Sequence, residues 1–305
     1  MNSQNILSKR HALVAGWFSF EYMGATAGDL IARDIVCAWL QEAGITYDIA
    51  VSTSFQVFGG VNWQEANTSD YTDVIFVCGP FGKGSPLTEF LHYFSRSRLI
   101  GVNLSMLQSL DGWNPFSLLV ERDSSATSNP DITFNGNFAA VPVVGVILVH
   151  KQKEYGERAL HDVANSAIDR LLKKREASVV YIDTALQNNK SLRTPAEVET
   201  LISRMDIVIT TRLHGAVLAL KNGVPAIPID PIAGGAKITN QIKTIQWPIL
   251  FNAEHLGDEP LETAFTYCLT ESARMQAKEC ASKAMVRVEQ IREKFLKEIV
   301  DLSLK

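Results

Sequence analysis

The sequence predicts a two-domain α/β protein in which each domain is a doubly wound parallel sheet. Three observations predict it. Short β-branched runs alternate with longer amphipathic stretches, a pattern that needs crossover helices over a parallel sheet. The pattern stops in an apolar, glycine-containing segment, Thr133 to Pro142, and then starts again. Finally, 305 residues exceed what one hydrophobic core usually serves.

The elements follow in order. His11 to Ala15 is a strand, and Gly28-Asp29 opens a helix, Leu30 to Ala43, stopped at Gly44. Ile45 to Val51 and Asp73 to Cys78 are strands, the second ending in Gly79-Pro80. A helix from Pro86 to Ser95 leads to strands Arg98 to Val102 and Phe116 to Glu121. The second half restarts with strand Val143 to His150 and a long helix, Glu154 to Arg175. Strand Val179 to Ile182 follows. Thr194-Pro195-Ala196-Glu197 then supplies an N-cap, a first-turn proline and a first-turn acid. Strand Asp206 to Thr210 runs into helix Arg212 to Asn222, closed by Gly223. Strand Pro225 to Ile229, helix Ala236 to Thr244 and strand Pro248 to Phe251 complete the sheet. From Leu261 to about Leu302 the chain has no proline or glycine and reads as helices packing back across both domains. The expected division is 1–138, 139–260 and the helical segment 261–305.

Composition excludes several function classes. The net charge of −4 argues against a nucleic-acid surface. The polar N-terminus carries no signal pattern, and no apolar run approaches a membrane span, so a cytoplasmic protein is expected. Cys37, Cys78, Cys268 and Cys280 lie far apart, and no His/Cys spacing suits zinc, so neither metal nor cofactor is expected. The thiols read as small buried apolar groups.

The strongest candidate site is Thr210-Thr211-Arg212-Leu213-His214-Gly215. A buried strand ends there and an apolar helix begins at once. In an open parallel sheet such a turn lies at the carboxyl edge, where ligands bind. The helix N-terminus favours an anion, and Arg212 adds a planar fork for phosphate or carboxylate. His214 is a candidate acid near neutral pH. Thr211, Leu213 and Gly215 complete the turn, the glycine allowing close approach to its backbone. The plainer alternative makes Arg212 a surface cation and His214 a helix-start residue.

Weaker candidates sit at other carboxyl edges. Asp29 either caps its helix or accepts a proton from a hydroxyl. Lys83, in Gly79-Pro-Phe-Gly-Lys-Gly84, either reaches an anion or sits in a plain turn. His150, Lys151 and Lys153 either meet the same anion as Arg212 or form a solvated loop. Gly235 and Lys237 enter a helix, with Lys237 facing the cleft or solvent.

Taken together, these residues resemble the polysaccharide pyruvyl transferases. The block Asp206 to Asp230, with Thr-Arg-Leu-His-Gly, a helix and Gly-Val-Pro, carries most of the resemblance. Glu121-Arg122-Asp123-Ser124, Pro130-Asp131 and Gly28-Asp29 add to it. The resemblance implies two Rossmann-like domains facing across a cleft, a GT-B-like fold. It also implies transfer of a pyruvyl group from phosphoenolpyruvate to a pair of sugar hydroxyls, forming a ketal. The acceptor would be a glycan or a lipid-linked sugar. By position, Arg212 would bind the donor's anionic groups and His214 would be the general acid. Where the family commonly has a further arginine after the first strand of its second domain, this chain has His150, Lys151 and Lys153. Two other functions remain open on the residues: a nucleotide-sugar glycosyltransferase, and a non-catalytic binder of an anionic ligand.

Overall fold

The computed structural model describes residues 10–302 except 22–23, 56–58, 138, 151–152, 188 and 190. The chain divides into two compact units, 1–138 and 139–305.

In the first unit the strands are β1 (His11–Ala15), β2 (Thr46–Ile49), β3 (Asp73–Phe81), β4 (Arg98–Met106) and β5 (Leu118–Val120). All pairings are parallel and the order is β2-β1-β3-β4-β5. Helix α1 (Ala27–Glu42) and helix α2 (Leu87–Tyr93) are the crossovers. The order reverses between β1 and β3, which is the switch point of a doubly wound sheet. Two apolar layers sandwich the sheet. One is built on Ala12, Val14, Val36 and Val77, the other on Leu13, Phe76, Phe90 and Phe94.

The second unit repeats this topology. Its strands are β6 (Val143–Ile147), β7 (Ser178–Tyr181), β8 (Ile207–Thr210), β9 (Ala226–Asp230) and β10 (Phe251–Asn252), in the order β10-β9-β8-β6-β7. Its helices are α3 (His161–Lys173), α4 (Pro195–Ile202), α5 (Leu213–Lys221), α6 (Lys237–Ile245), α7 (Asp258–Cys268) and α8 (Glu271–Leu302). The switch point here lies between β6 and β8. Helices α7 and α8 group with the second unit, and α8 packs on α5, α6 and α7. The two units are thus Rossmann-like and doubly wound, followed by a helical C-terminal segment.

Most expected elements are present, with differences that have physical reasons. The N-terminus of α4 has the capping box read from Thr194 and Glu197, with Pro195 in the first turn. Strands β3 and β4 run past their expected ends to Phe81 and Met106, because they pair through Gly79–Leu104 and Phe81–Met106. Both kink at one level, where Cys78 and Asn103 take left-handed φ of 66° and 58°. The long helix expected over 154–175 is not one helix. Gly156 takes φ 53° and ψ −131°, which breaks the 3-10 stretch Lys153–Arg158 in two, and α3 starts only at His161. The intervening backbone is drawn away instead: Ala159 bridges Ile232, and Leu160 donates to the Pro231 carbonyl at 2.7 Å.

All four cysteines are buried and unpaired. Burial pushes the Cys37 and Cys78 thiols up to about 11 and Cys268 up to about 12, so they are poor nucleophiles. No helix among the described residues is long and apolar enough to cross a membrane.

Candidate functional site

The turn after β8 is stitched to the end of β6. The Thr210 hydroxyl donates to the Ile147 carbonyl at 2.8 Å and accepts the Arg212 amide at 2.9 Å. The Thr211 amide donates to the same carbonyl at 3.0 Å, and its hydroxyl oxygen accepts the Val149 amide at 2.9 Å. Both threonines are buried. They serve as clips that place the next residues at the switch point.

Arg212 is the N-cap of α5 with an extended backbone, and no side chain caps the helix. The first amides of a helix have no partner within it, so this end offers donors and a partial positive charge. Gly215 is required by packing. A Cβ there would meet Thr210 Oγ1 at 2.4 Å and Ile147 Cγ2 at 3.0 Å. The close approach expected of this glycine is therefore made by the sheet itself.

The guanidinium of Arg212 is half-buried beside a carboxylate. Among the described residues, its buried Nη1 has no hydrogen-bond partner. Asp183 Oδ1 lies 3.5 Å from it, an ion-pair distance without hydrogen-bond geometry. Asp183 follows β7. Its Oδ2 lies 3.1 Å from His150 Nε2, and its Oδ1 accepts the Ala185 amide at 2.8 Å. Burial alone would raise the Asp183 pKa. The Ala185 amide, His150 and Arg212 outweigh burial and hold the carboxyl below its ordinary value. Thr184 Oγ1, next along the chain, is also buried without a hydrogen-bond partner among the described residues.

Loops after β6, β8 and β9 enclose a cavity of about 240 Å³ with Arg212, His214, Lys237, Tyr155 and Asp230 in its wall. Thr211 and Leu213 also line it. His214 and Lys237 are exposed to solvent. Asp230, the last residue of β9, is 1% exposed. Its Oδ2 accepts the Ala236 amide at 2.7 Å, the Thr239 amide at 2.9 Å and the Thr239 hydroxyl at 2.7 Å. Its Oδ1 accepts the Ile232 amide at 3.2 Å. This carboxylate builds the loop that carries Lys237 to the cavity.

Arg158 holds the same loop from outside. Its Nη2 donates to the Ala233 carbonyl at 2.7 Å and to the Gly235 carbonyl at 3.4 Å. Gly235 has φ 78° and is absent from the cavity wall, so its visible part is the turn before α6. Lys151 lies outside the described residues, and of Lys153 only the backbone, in the 3-10 stretch, is described.

In the first unit, Asp29 forms a capping box at α1. Its Oδ2 accepts the Thr26 amide and hydroxyl, both at 2.7 Å. The Glu121–Ser124 turn and Asp131 join one network. Arg122 Nη1 donates to Asp131 Oδ2 at 3.0 Å, and Asn103 donates to Asp131 Oδ1 at 3.1 Å. Lys83 stands over the Trp113 ring, 5.8 Å from its centroid.

Sequence reasoning missed Asp183, Asp230, Tyr155 and Arg158 as parts of this site. Asp183 and Asp230 had a readable signal: each is an acid closing an apolar strand at the carboxyl edge. Tyr155 and Arg158 had none, because their placement depends on the break at Gly156.

Fold and site define a chain of two doubly wound α/β units with a cavity lined by Arg212, His214 and Lys237 at the switch point of the second. Residues 118–231 match the model of the polysaccharide pyruvyl transferase family. That stretch includes Arg122, Asp131, Asp183, Arg212, His214 and Asp230. The resemblance read from the motifs is thus found over this part of the chain. No curated protein matches the sequence. Among solved structures, a UDP-GlcNAc 2-epimerase from Methanocaldococcus jannaschii shares 12% identity over 92% of this chain and 99% of that one, with a TM-score of 0.32. MurG from Acinetobacter baumannii shares 12% over 90% and 95%, also with a TM-score of 0.32. The spinosyn rhamnosyltransferase SpnG shares 12% over 92% and 100%, with a TM-score of 0.31.

Proposed function

We propose that the protein transfers a pyruvyl group from phosphoenolpyruvate to two hydroxyls of a glycan or glycan precursor, with the cavity at Arg212 as the donor site. The observation that carries this reading is the unsatisfied guanidinium. Arg212 Nη1 is buried without a hydrogen-bond partner among the described residues, in the same cavity wall as His214 and inside the stretch that matches the family. A buried donor left open is costly unless a ligand completes it.

The roles follow from the chemistry. Arg212, Lys237 and the open end of α5 neutralise the donor's phosphate and carboxylate. His214, as the imidazolium, gives its proton to the methylene carbon of the enol. The first sugar oxygen bonds to the adjacent carbon, the carbon–oxygen bond to phosphate breaks, and the second sugar oxygen closes the ketal. One hydroxyl proton restores the imidazolium and the other leaves with the phosphate, so charge and protons balance.

The test is ligand protection against thermal unfolding, with phosphoenolpyruvate and a nucleotide sugar as separate ligands. At a hundredfold excess over Kd, binding stabilises the native state by about 2.7 kcal/mol. The expected result is protection by phosphoenolpyruvate that Arg212→Ala abolishes. Protection unchanged in Arg212→Ala, or protection by the nucleotide sugar alone, overturns the proposal.

A further inference from the structure

Asp183 joins two cations that come from different strands. Its carboxylate is oriented by its own turn after β7, where Oδ1 accepts the Ala185 amide at 2.8 Å. From there Oδ1 lies 3.5 Å from Nη1 of Arg212, which follows β8, and Oδ2 lies 3.1 Å from Nε2 of His150, which follows β6. No other charged side chain among the described residues pairs with it. His150 is absent from the cavity wall, although its neighbour Val149 belongs to it. The path from His150 to the cavity therefore runs through the carboxylate to Arg212.

The three groups differ in what pH does to them. An arginine stays charged at every pH a folded protein meets. Burial works to raise the Asp183 pKa, but the Ala185 amide, His150 and Arg212 together hold it below the ordinary carboxylate range, so it stays an anion near neutrality. Histidine is the side-chain type whose charge changes between about pH 5 and 8. Beside a neutral imidazole, the whole charge of Asp183 falls to Arg212. Beside an imidazolium at 3.1 Å that charge is shared, and the guanidinium is held less firmly.

Other charged and titratable groups stand around this trio. His214, Lys237, Tyr155 and Asp230 share the cavity wall with Arg212. Lys151 and Lys153 follow His150 in sequence, and their side chains lie outside the described residues. All of these are common to the native chain and to a variant at His150, so a difference between the two isolates the imidazole.

We infer that His150 is a positioning residue of the anion site: when protonated it takes a share of the Asp183 carboxylate, frees the Arg212 guanidinium for the ligand, and so raises anion affinity as pH falls. The inference rests on the reading of the Arg212 cavity as the donor site. It adds a residue that acts on the donor without touching it.

The test is calorimetric titration of the full chain with inorganic sulfate, a dianion at every pH used, at low salt so that exposed charges are not screened. The native chain is expected to bind sulfate more tightly at about pH 5.5 than at about pH 8. His150→Gln keeps a donor to Asp183 without the charge, and is expected to bind up to ~5-fold more weakly than the native chain at the lower pH, the range an exposed ion pair carries. His150→Arg, charged throughout, is expected to bind up to ~5-fold tighter than the native chain at the higher pH. In an Asp183→Asn background, His150→Gln is expected to change nothing. His150 is exposed, so an unchanged melting temperature confirms that its variants fold. Native and His150→Gln chains with the same pH profile overturn the inference. A difference that persists undiminished in Asp183→Asn overturns the positioning role, because His150 then acts on the anion directly. Sulfate binding that Arg212→Ala leaves unchanged overturns the donor-site reading and the inference with it, whereas binding that needs Arg212 and ignores His150 overturns the inference alone.

Discussion

Replacing Gly215 with alanine sets two effects of similar size against each other. Alanine is the better helix former, worth up to about 1 kcal/mol over glycine in a helix. The added Cβ would lie 2.4 Å from Thr210 Oγ1 and 3.2 Å from Ile147 Cβ. Neither neighbour yields cheaply. Ile147 is fully buried, and the Thr210 hydroxyl both donates to the Ile147 carbonyl and accepts the Arg212 amide. Relief requires either rotating Thr210 and losing two hydrogen bonds, at about 0.5–1.5 kcal/mol each, or tilting α5 off β8. Overpacking of this kind costs roughly 1–3 kcal/mol, so the net expectation is a loss of about 1–2 kcal/mol. For a unit of this size that lowers the melting temperature by roughly 2–8 °C. Thermal unfolding of Gly215→Ala, Thr210→Ala and the double variant measures it. Removing Thr210 Oγ1 should cost less in the Gly215→Ala background than in the native chain, giving a coupling of about 1 kcal/mol between the two sites. A Gly215→Ala protein as stable as the native one, or strictly additive effects, would falsify the packing argument. Donor affinity should fall further than stability does, because tilting α5 moves Arg212 and His214 together.

Asp183→Asn removes the anion that competes for Arg212 while keeping an acceptor for the Ala185 amide. Pairs this exposed are worth about 1 kcal/mol at most, so calorimetry should show phosphoenolpyruvate binding up to ~5-fold tighter, less so at high salt. Asp230→Asn, at 1% exposure, keeps the three bonds on one oxygen if its amide nitrogen turns toward Ile232, but loses the charge that strengthened them. Urea unfolding should show a loss of about 2–3 kcal/mol. Thr26→Ala and Asp29→Ala both break the cap of α1 and should each cost about 1 kcal/mol. Turnover that survives the first and not the second would assign Asp29 a chemical role beyond capping. Burial tends to raise the Asp131 pKa, but the Thr133 amide, Arg122, the Thr133 hydroxyl and Asn103 hold it below the ordinary value. Its folded pKa is depressed, so its stabilisation is present above the unfolded value, near 3.9, and is lost as pH falls through the folded one. Arg122→Ala should therefore destabilise at neutral pH, with the gap from the native protein closing in acid.

What was legible in the sequence was local or periodic. The capping box at Thr194 needs only four consecutive residues. The alternation of strands and helices needs only their order. The turn Thr210 to Gly215 was readable as a carboxyl-edge turn because a strand running straight into a helix fixes its edge of the sheet. The break at Gly156 was not readable. The apolar spacing through Leu160, Val163 and Ala167 does not reach back to it, and what keeps the backbone ahead of α3 out of the helix is a bridge from Ala159 to Ile232, distant in sequence. Strands β3 and β4 outran their expected ends for the same reason, since pairing with a neighbour overrode the Gly79-Pro80 signal. The need for Gly215 was visible as a glycine but not as a contact, because Thr210 and Ile147 meet it only once β6 and β8 are adjacent. That adjacency also brings Asp183 beside Arg212.

The two acids of the site answer different physical demands. Asp230 is buried and meets four donors, so its charge is spent on holding the loop that carries Lys237. Asp183 is 43% exposed in its side chain and faces Arg212 Nη1 without a hydrogen bond. An ion pair at that distance and exposure steadies the guanidinium yet gives up little when it is displaced. A phosphate or carboxylate that forms charge-assisted bonds to the same nitrogen, at about 2.7–2.9 Å, gains what Asp183 leaves unmade. The exchange favours a ligand with two anionic groups, because the second can engage Lys237 or the open end of α5 while the first engages Arg212. A monoanion must displace the same carboxylate with only one such contact. On the proposed reading, selectivity for a doubly anionic donor rests less on the number of cations than on one of them being held loosely.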